Sequence, residues 1–143
     1  MFEPLFCKRI IERVLFVDNK GDWRAGKADD SRQKKEVGMK KVDLYAENGF
    51  AEQNFKNFTV HDSPYFKILN FNFKAGQELP VHSHDIEGEV SIAVLEGEGE
   101  FVGEKGAVLE AKPGNVLISD ISEPHGLRAK TDMRVLVTIA PPI

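Results

Sequence analysis

From about residue 55 to residue 143, the chain alternates between short apolar segments and turn residues. Seven segments are rich in aliphatic and aromatic side chains: residues 65–73, 89–95, 98–102, 107–110, 116–119, 127–129 and 133–140. They are separated by sequences such as Glu96-Gly97 and Pro113-Gly114-Asn115, whose residue types favour tight turns. No segment with helical periodicity interrupts the series. The spacing therefore predicts an all-β domain, built as a barrel or a sandwich.

The first 38 residues do not follow this pattern. Residues 18–38 are mainly charged and polar, which is typical of a linker or a flexible arm. The codons for Lys-Lys-Glu-Val, just before Met39, can form a purine-rich stretch like a bacterial ribosome-binding site. We therefore expect one domain over residues 39–143. Residues 1–38 are then either an extension that is not naturally translated, or an arm that adds a strand or exchanges with a partner subunit.

Composition narrows the classes of partner and compartment. A net charge of -4 gives no reason to expect nucleic acid or an anionic membrane as a partner. The single cysteine, Cys7, excludes an intrachain disulfide and fits a reducing compartment. No apolar run approaches the roughly 18 residues that a membrane-spanning helix needs. The expected location is therefore the cytoplasm.

Three of the four histidines lie in two turn-flanked places. His82 and His84 are separated by one residue, and His125 follows later in a Glu-Pro-His-Gly sequence. Because alternate residues of a strand point to the same face, His82 and His84 are expected to project together. Imidazole is the commonest protein ligand of divalent transition metals. If His125 meets the other two in the fold, the three side chains predict a metal site. His61 belongs to no such motif and is expected to be exposed or capping.

At these residues the chain resembles the cupin superfamily. The first cupin motif consists of Gly, five residues, His-x-His, three or four residues, Glu, six residues and Gly. Gly76, His82, His84 and Glu89 match it, whereas Gly97 follows Glu89 after seven residues instead of six. This first motif is the specific part of the resemblance.

The second cupin motif is matched less completely. Gly106 and Pro113-Gly114 resemble its first half with altered spacing, and His125 resembles its late histidine although it lies farther from the Pro-Gly turn. The resemblance covers roughly residues 59–142. It implies a cupin-type β-barrel, or jelly roll, of two antiparallel sheets. It also implies a metal near one mouth of the barrel, held by His82, His84, Glu89 and His125.

The extra residue after Glu89 affects the expected direction of its side chain. Counted back from the Glu96-Gly97 turn, Val90, Ile92 and Val94 share one face, which should point into the barrel. Glu89 then points outward, unless a β-bulge between Glu89 and Ile92 re-aims it. Glu87 or a water molecule could take its place as a ligand.

The expected cofactor is a divalent transition metal, and ligand type alone does not choose between Fe, Mn, Ni, Zn and Cu. One hypothesis is a metal-dependent oxygenase or isomerase that acts on a small metabolite. The other is a non-catalytic barrel that binds a small ligand, or one that has lost its metal. The inward positions Val90, Ile92, Val94 and Leu117 are aliphatic, which favours a small and mostly apolar ligand. The phenylalanine-rich stretch over residues 55–73 favours a homodimer.

Overall fold

The computed structural model of the protein describes residues 15–17, 23–25 and 38–143. The chain divides into two compact units, Met1–Lys40 and Lys41–Ile143. In the first unit, strands Leu15–Val17 (β1) and Trp23–Ala25 (β2) pair antiparallel. The rest of the predicted arm lies outside the described residues, so the domain boundary after residue 38 stays a prediction.

Two antiparallel sheets form the second unit, every residue of which the structure describes. Its strands are Lys56–Asp62 (β3), Lys67–Phe73 (β4), Glu78–His82 (β5), Glu89–Glu96 (β6), Gly99–Val102 (β7), Val108–Ala111 (β8), Val116–Asp120 (β9), His125–Ala129 (β10) and Met133–Ala140 (β11). One sheet has the order β3-β4-β11-β6-β9, and the other has the order β5-β10-β7-β8. A helix of one turn, Leu44–Glu47 (α1), precedes the strands, and a 3-10 turn, Glu104–Gly106, joins β7 to β8. The predicted two-sheet jelly roll is confirmed.

All seven predicted strands are present, with ends that differ from the prediction by two residues at most. Strands β3 and β5 were not among the predicted segments, although strand alternation was assumed for His82 and His84. In β5, Pro80 interrupts the strand pattern, because proline is tolerated in a sheet mainly on edge strands. Strand β5 is an edge strand of its sheet. Helix α1 is too short for a periodic pattern. Its start is set by Asp43, whose carboxylate accepts hydrogen bonds from the main-chain N of Tyr45 and Ala46 at 3.1 and 3.3 Å. Within the described part of the chain, no helix is long and apolar enough to cross a membrane.

The hydrophobic core lies between the two sheets. In β6, the side chains of Val90, Ile92 and Val94 are buried, as the alternation predicted. Strands β4 and β11 supply most of the remaining core, with Phe71, Phe73, Met133, Val135, Val137 and Ile139. The removal of these apolar side chains from water is the main force that holds the sheets together.

A network of three buried asparagines covers the outer face of β4. Asn48 Nδ2 donates to Asn70 Oδ1 at 2.8 Å. Asn70 Nδ2 donates to Asn72 Oδ1 at 3.1 Å and to the main-chain O of Val135 at 3.0 Å. Asn72 Nδ2 donates to the main-chain O of Asn48 and Gly49 at 3.2 and 2.7 Å. Because buried amides are costly without partners, this network holds the segment after α1 against the sheet.

Arg134 of β11 completes the attachment of that segment. Its Nη1 donates to the main-chain O of Leu44 and Asn48 at 3.3 and 2.9 Å. Its guanidinium lies 4.2 Å from the centre of the Tyr45 ring, which is cation–π contact. The Nε atom faces Glu96 at 3.5 Å and has no hydrogen-bond partner among the described residues.

Candidate functional site

A cavity of about 440 Å³ lies inside the barrel, at the end where β5 finishes and β10 starts. Twelve residues line it, and nine of them are apolar. They are Leu69, Phe71, Leu79, His82, His84, Val90, Ile92, Ile121, His125, Val137, Ile139 and Ile143. In the part of the chain that the structure describes, the three histidines that the sequence singled out are the only polar side chains in this lining. Most of the aliphatic wall was not identified from sequence, apart from Val90 and Ile92, because its residues come from strands far apart along the chain.

His82 and His125 face each other across two paired strands. They are direct partners in the register of β5 and β10, and their ring centres lie 4.7 Å apart. The register shifts between His125 and Leu127, where Pro80 and Val81 together oppose Gly126. Such a bulge re-aims the side chains beside it.

Gly126 is the residue that lets the two strands approach at this bulge. A Cβ atom there would lie 2.7 Å from the main-chain O of Leu79 and 2.9 Å from the N of Val81. These distances are too short for a side chain, so only glycine fits. Pro80 and Gly126 were the sequence signals for this arrangement, but their pairing across two strands is not visible from the sequence.

The Nδ1 atoms of His82 and His125 are both held by main-chain carbonyls. The distance from His82 Nδ1 to Pro80 O is 2.8 Å, and the distance from His125 Nδ1 to Glu123 O is 2.7 Å. A carbonyl oxygen only accepts, so each Nδ1 carries the proton. In the neutral ring, Nε2 then keeps its lone pair. Main-chain carbonyls often fix metal-binding histidines in this way.

His84 reaches the cavity from a loop and not from a strand. Strand β5 ends at His82, but the main-chain N of His84 donates to Ile121 O at 3.1 Å. The main-chain N of Ile121 in turn donates to Gly88 O at 2.9 Å. These two bonds hold the loop, and the His84 ring centre lies 5.4 Å from that of His82. Both histidines therefore line the cavity as expected, although simple strand alternation is not the cause.

The environment of His125 favours its neutral form. Only 6% of its surface is exposed, and this burial lowers the pKa of the imidazole from its ordinary value. The Glu123 carbonyl acts in the opposite direction, while the positive charge on protonated His82 or His84 lowers the pKa further. The neutral imidazole is the form that binds metals.

The structure does not bring Glu89 to the histidines. The register of β6 is continuous from Glu89 to Ala93 against both neighbouring strands, so no bulge re-aims this side chain. Glu89 is exposed and absent from the cavity wall, and Glu87 is exposed as well. The inward direction of Val90 forces Glu89 outward because neighbours alternate along a strand. Leu117 is half-buried against the core but does not line this cavity either.

The chemical type of the donor atoms suits a divalent transition metal, but their arrangement in this structure is not that of a metal site. Neutral imidazoles with free Nε2 atoms are common ligands of such ions. However, no set of three His, Cys, Asp or Glu side chains among the described residues is arranged to hold a metal as it stands. The exposed His84 is the least constrained of the three histidines. His61 lies elsewhere, half-buried, with its ring centre 4.8 Å from that of Phe66.

Comparison with known proteins agrees with this architecture. The family model for the cupin domain matches residues 69–139. An RmlC-like cupin protein from Desulfovibrio desulfuricans is 61% identical, with a TM-score of 0.72, over 74% of this chain and 100% of that chain. The protein belongs to the cupin superfamily. The sequence-based recognition of the cupin superfamily is thus confirmed, as is the jelly-roll fold.

Enzymes are also found among the relatives of this cupin. It is 33% identical over 94 residues to the L-ectoine synthase of Shouchella clausii (strain KSM-K16), which is 64% of this chain and 62% of that enzyme. The chain thus spans less than two thirds of the length of this curated relative. The structure of an ectoine synthase from P. lautus has a TM-score of 0.59 and 23% identity, over 73% of this chain and 80% of that one. At that identity, the similarity concerns the fold alone.

Proposed function

We propose that this cupin binds a divalent transition metal through the Nε2 atoms of His82, His84 and His125, and acts on a small molecule in the adjoining cavity. One observation carries the proposal: the Nδ1 atoms of His82 and His125 are both bonded to main-chain carbonyls. The Nε2 atoms are therefore the ones left to bind, at the wall of a cavity. In an otherwise apolar wall, such nitrogen atoms favour a ligand that supplies the bonding partner they lack.

Each histidine has a separate task in this proposal. His82 and His125 are preset by the paired strands and by their carbonyl partners. His84 sits on the exposed loop, where it can adjust. Three neutral ligands leave coordination positions for water or a substrate. When bound, an ion such as Zn would supply Lewis-acid chemistry, and Fe, Mn, Ni or Cu could also supply redox chemistry. Glu89 is not needed as a ligand.

The catalytic version of the proposal is a metal-dependent transformation of a small metabolite, such as an oxygenation or an isomerisation. The similarity to L-ectoine synthase over 94 residues supports an enzyme. A second candidate is a barrel that binds a small ligand without turnover. It is favoured by the spacing of the histidines, since no ready-made metal-binding group exists among the described residues.

Metal content tests the proposal directly. The protein would be purified without a histidine tag or a chelator, and its metals would be measured by elemental mass spectrometry. We expect close to one transition-metal ion per chain, and the same content in Glu89→Gln. A protein that is empty, and that also fails to take up Zn, Mn, Fe, Ni or Cu on soaking, would reject the metal and support the second candidate. Loss of metal in Glu89→Gln would show that this carboxylate is a ligand after all.

A further inference from the structure

The exposure of the cavity wall changes from one end to the other. Two lining residues are exposed, His84 and Ile143, and the latter is 44% exposed. By contrast, Val90, Ile92 and Val137 are at most 5% exposed. The exposed pair therefore marks the mouth of the cavity. Ile92 and its register partner Val137 lie farther along β6 and β11 from that end, and they mark the floor. Ile143 is held at the mouth by Lys67, whose Nζ donates to the main-chain O of Ile143 at 3.2 Å.

The polar side chains of the cavity wall all lie at one place in it. His82, His84 and His125 cluster together, and among the described residues no lysine, arginine, serine, threonine or asparagine lines the cavity. A second polar group on a ligand would therefore lie against the aliphatic floor without a partner. Leaving a polar group buried and unpaired costs about 1–3 kcal/mol.

Charge near the mouth disfavours ligands that carry several negative charges. The loop after His84 bears two exposed carboxylates, Asp85 and Glu87. Lys67, the cation that approaches the mouth, is already paired with Asp62 at 3.5 Å. Apart from a metal at the histidines, no lysine or arginine among the described residues of the wall is available to balance a second anionic group, as in a dicarboxylate.

We propose that the ligand of this site is a small molecule with an apolar body and a single polar head, which enters body first and leaves its head at the three histidines. This rests on the proposed function, since the head is the group that the histidines or their metal would contact. At about 30 Å³ for each atom, a cavity of about 440 Å³ has room for on the order of ten to fifteen non-hydrogen atoms. The length of the ligand's apolar body is therefore limited by the volume of the cavity.

A series of uncharged probes tests both the orientation and the single head. Binding of 1-butanol through 1-decanol would be measured by titration calorimetry on the protein as purified. We expect affinity to rise about fourfold for each added methylene, the equivalent of about 0.8 kcal/mol, until the floor is reached. The α,ω-diols of equal length should bind roughly tenfold to a hundredfold more weakly, because their second hydroxyl is buried unpaired. Affinity that does not depend on length, or diols that bind as well as alcohols, would overturn the proposal.

Two variants locate the binding in this cavity. Ile92→Phe fills the floor and should end the rise of affinity at a shorter alcohol, while Leu109→Phe is the matched control. Leu109 is 62% exposed and lies outside the cavity wall, so this variant should keep the wild-type limit. An unchanged limit in folded Ile92→Phe would reject the cavity as the site. If Ile92→Phe does not fold, the comparison of alcohols with diols in the wild type still decides.

The same titrations separate this inference from the metal. Protein stripped of metal by a chelator keeps the aliphatic floor. The dependence on chain length should therefore persist in it, even if the proposed function fails. Loss of the length dependence in a stripped protein that stays folded would contradict the inference.

Discussion

The polar groups on the two sides of strand β4 differ in whether they have hydrogen-bond partners within the protein. On the outer face, Asn70 and Asn72 are fully buried, and each amide is bonded to neighbouring groups of the protein. On the inner face, Leu69 and Phe71 line a cavity whose three histidines keep Nε2 atoms without a protein partner in the described part of the chain. A satisfied buried network makes a structure rigid and specific. Polar atoms left open in an apolar cavity are suited to an added ligand. The outer face thus holds the fold, and the inner face is the one that we propose to bind a ligand.

Removing two of the three histidines should cause the largest change in metal affinity and should leave the stability of the fold unchanged. For His82→Ala with His84→Ala, we expect metal affinity to fall by about a thousandfold, roughly 4 kcal/mol, because two of three ligands are lost. Competition with a chromophoric chelator measures this. The matched control is His61→Ala, since His61 lies outside the cavity. Equal affinity in the double variant and the control would contradict the site.

Removing Arg134 should have the converse effect, on stability alone. Arg134→Met leaves the carbonyls of Leu44 and Asn48 without this donor, and we expect the free energy of unfolding to fall by about 3 kcal/mol. Arg128→Met is the control. Arg128 is about half exposed and paired with Glu78 and Glu100, so its loss should cost at most about 1 kcal/mol. Urea denaturation of both variants measures the difference. Similar losses would mean that the outer network does not hold the segment.

Gly88 affects both metal affinity and stability, because it sets the position of the loop that carries His84. Its φ is +150°, and a Cβ atom would lie 2.6 Å from the main-chain O of Ala140 and from Pro141 Cδ. Gly88→Ala should therefore move the loop, lowering metal affinity about tenfold and stability by about 1–2 kcal/mol. Gly106→Ala is the control, since Gly106 also has a positive φ but has nothing within 4 Å of the added atom. It should lose stability without losing affinity. If Gly88→Ala keeps full affinity, the position of the loop does not matter for binding.

The smallest effect concerns pH. Burial lowers the pKa of folded His125, so the unfolded chain binds more protons over the range just below its ordinary value of 6.5. Stability should therefore be complete above that value and should decline as the pH falls through it. His125→Gln should flatten this decline, and His61→Gln should not. Urea denaturation of chelator-treated protein at several pH values measures it. An identical decline in His125→Gln would exclude this residue as the cause.

Much of this architecture was predictable from short-range patterns. The turn signals located seven strands, and the alternation in β6 placed Val90, Ile92 and Val94 inside. The histidine motif indicated the three side chains that line one cavity. These features are encoded by neighbouring residues, which is why one sequence was enough to find them.

The features that were missed depend on contacts between distant residues. The asparagine network joins Asn48 to Asn70 and Asn72, and nothing near any one of them in the sequence indicates burial. The bulge at Pro80 depends on Gly126, from another strand. The position of Glu89 could be narrowed to two alternatives, and the choice between them required the register of β6 against its neighbours.

The expected homodimer stays a prediction, but its supporting argument has weakened. The rings of Phe55, Phe71 and Phe73 contact one another, with centres 5.2 to 6.2 Å apart. Part of this aromatic stretch therefore packs inside the protein, whereas Tyr65 and Phe66 are exposed. Exposed apolar side chains also occur on the edge strands β8 and β9, at Leu109 and Ile118. We expect light scattering at micromolar concentration to give the mass of a dimer, and Ile118→Lys to give a monomer if these edges form the contact. A wild-type monomer would reject the dimer.

The proposed metal site requires His82 and His125 to present their Nε2 atoms to the ion. Nitrogen-detected or long-range proton–nitrogen NMR of the histidine rings, in chelator-treated protein before and after addition of Zn, measures this directly. We predict rings protonated at Nδ1 before addition, and Nε2 resonances of His82, His84 and His125 that shift together at one equivalent. Rings protonated at Nε2, or resonances that do not respond to Zn, would contradict the account.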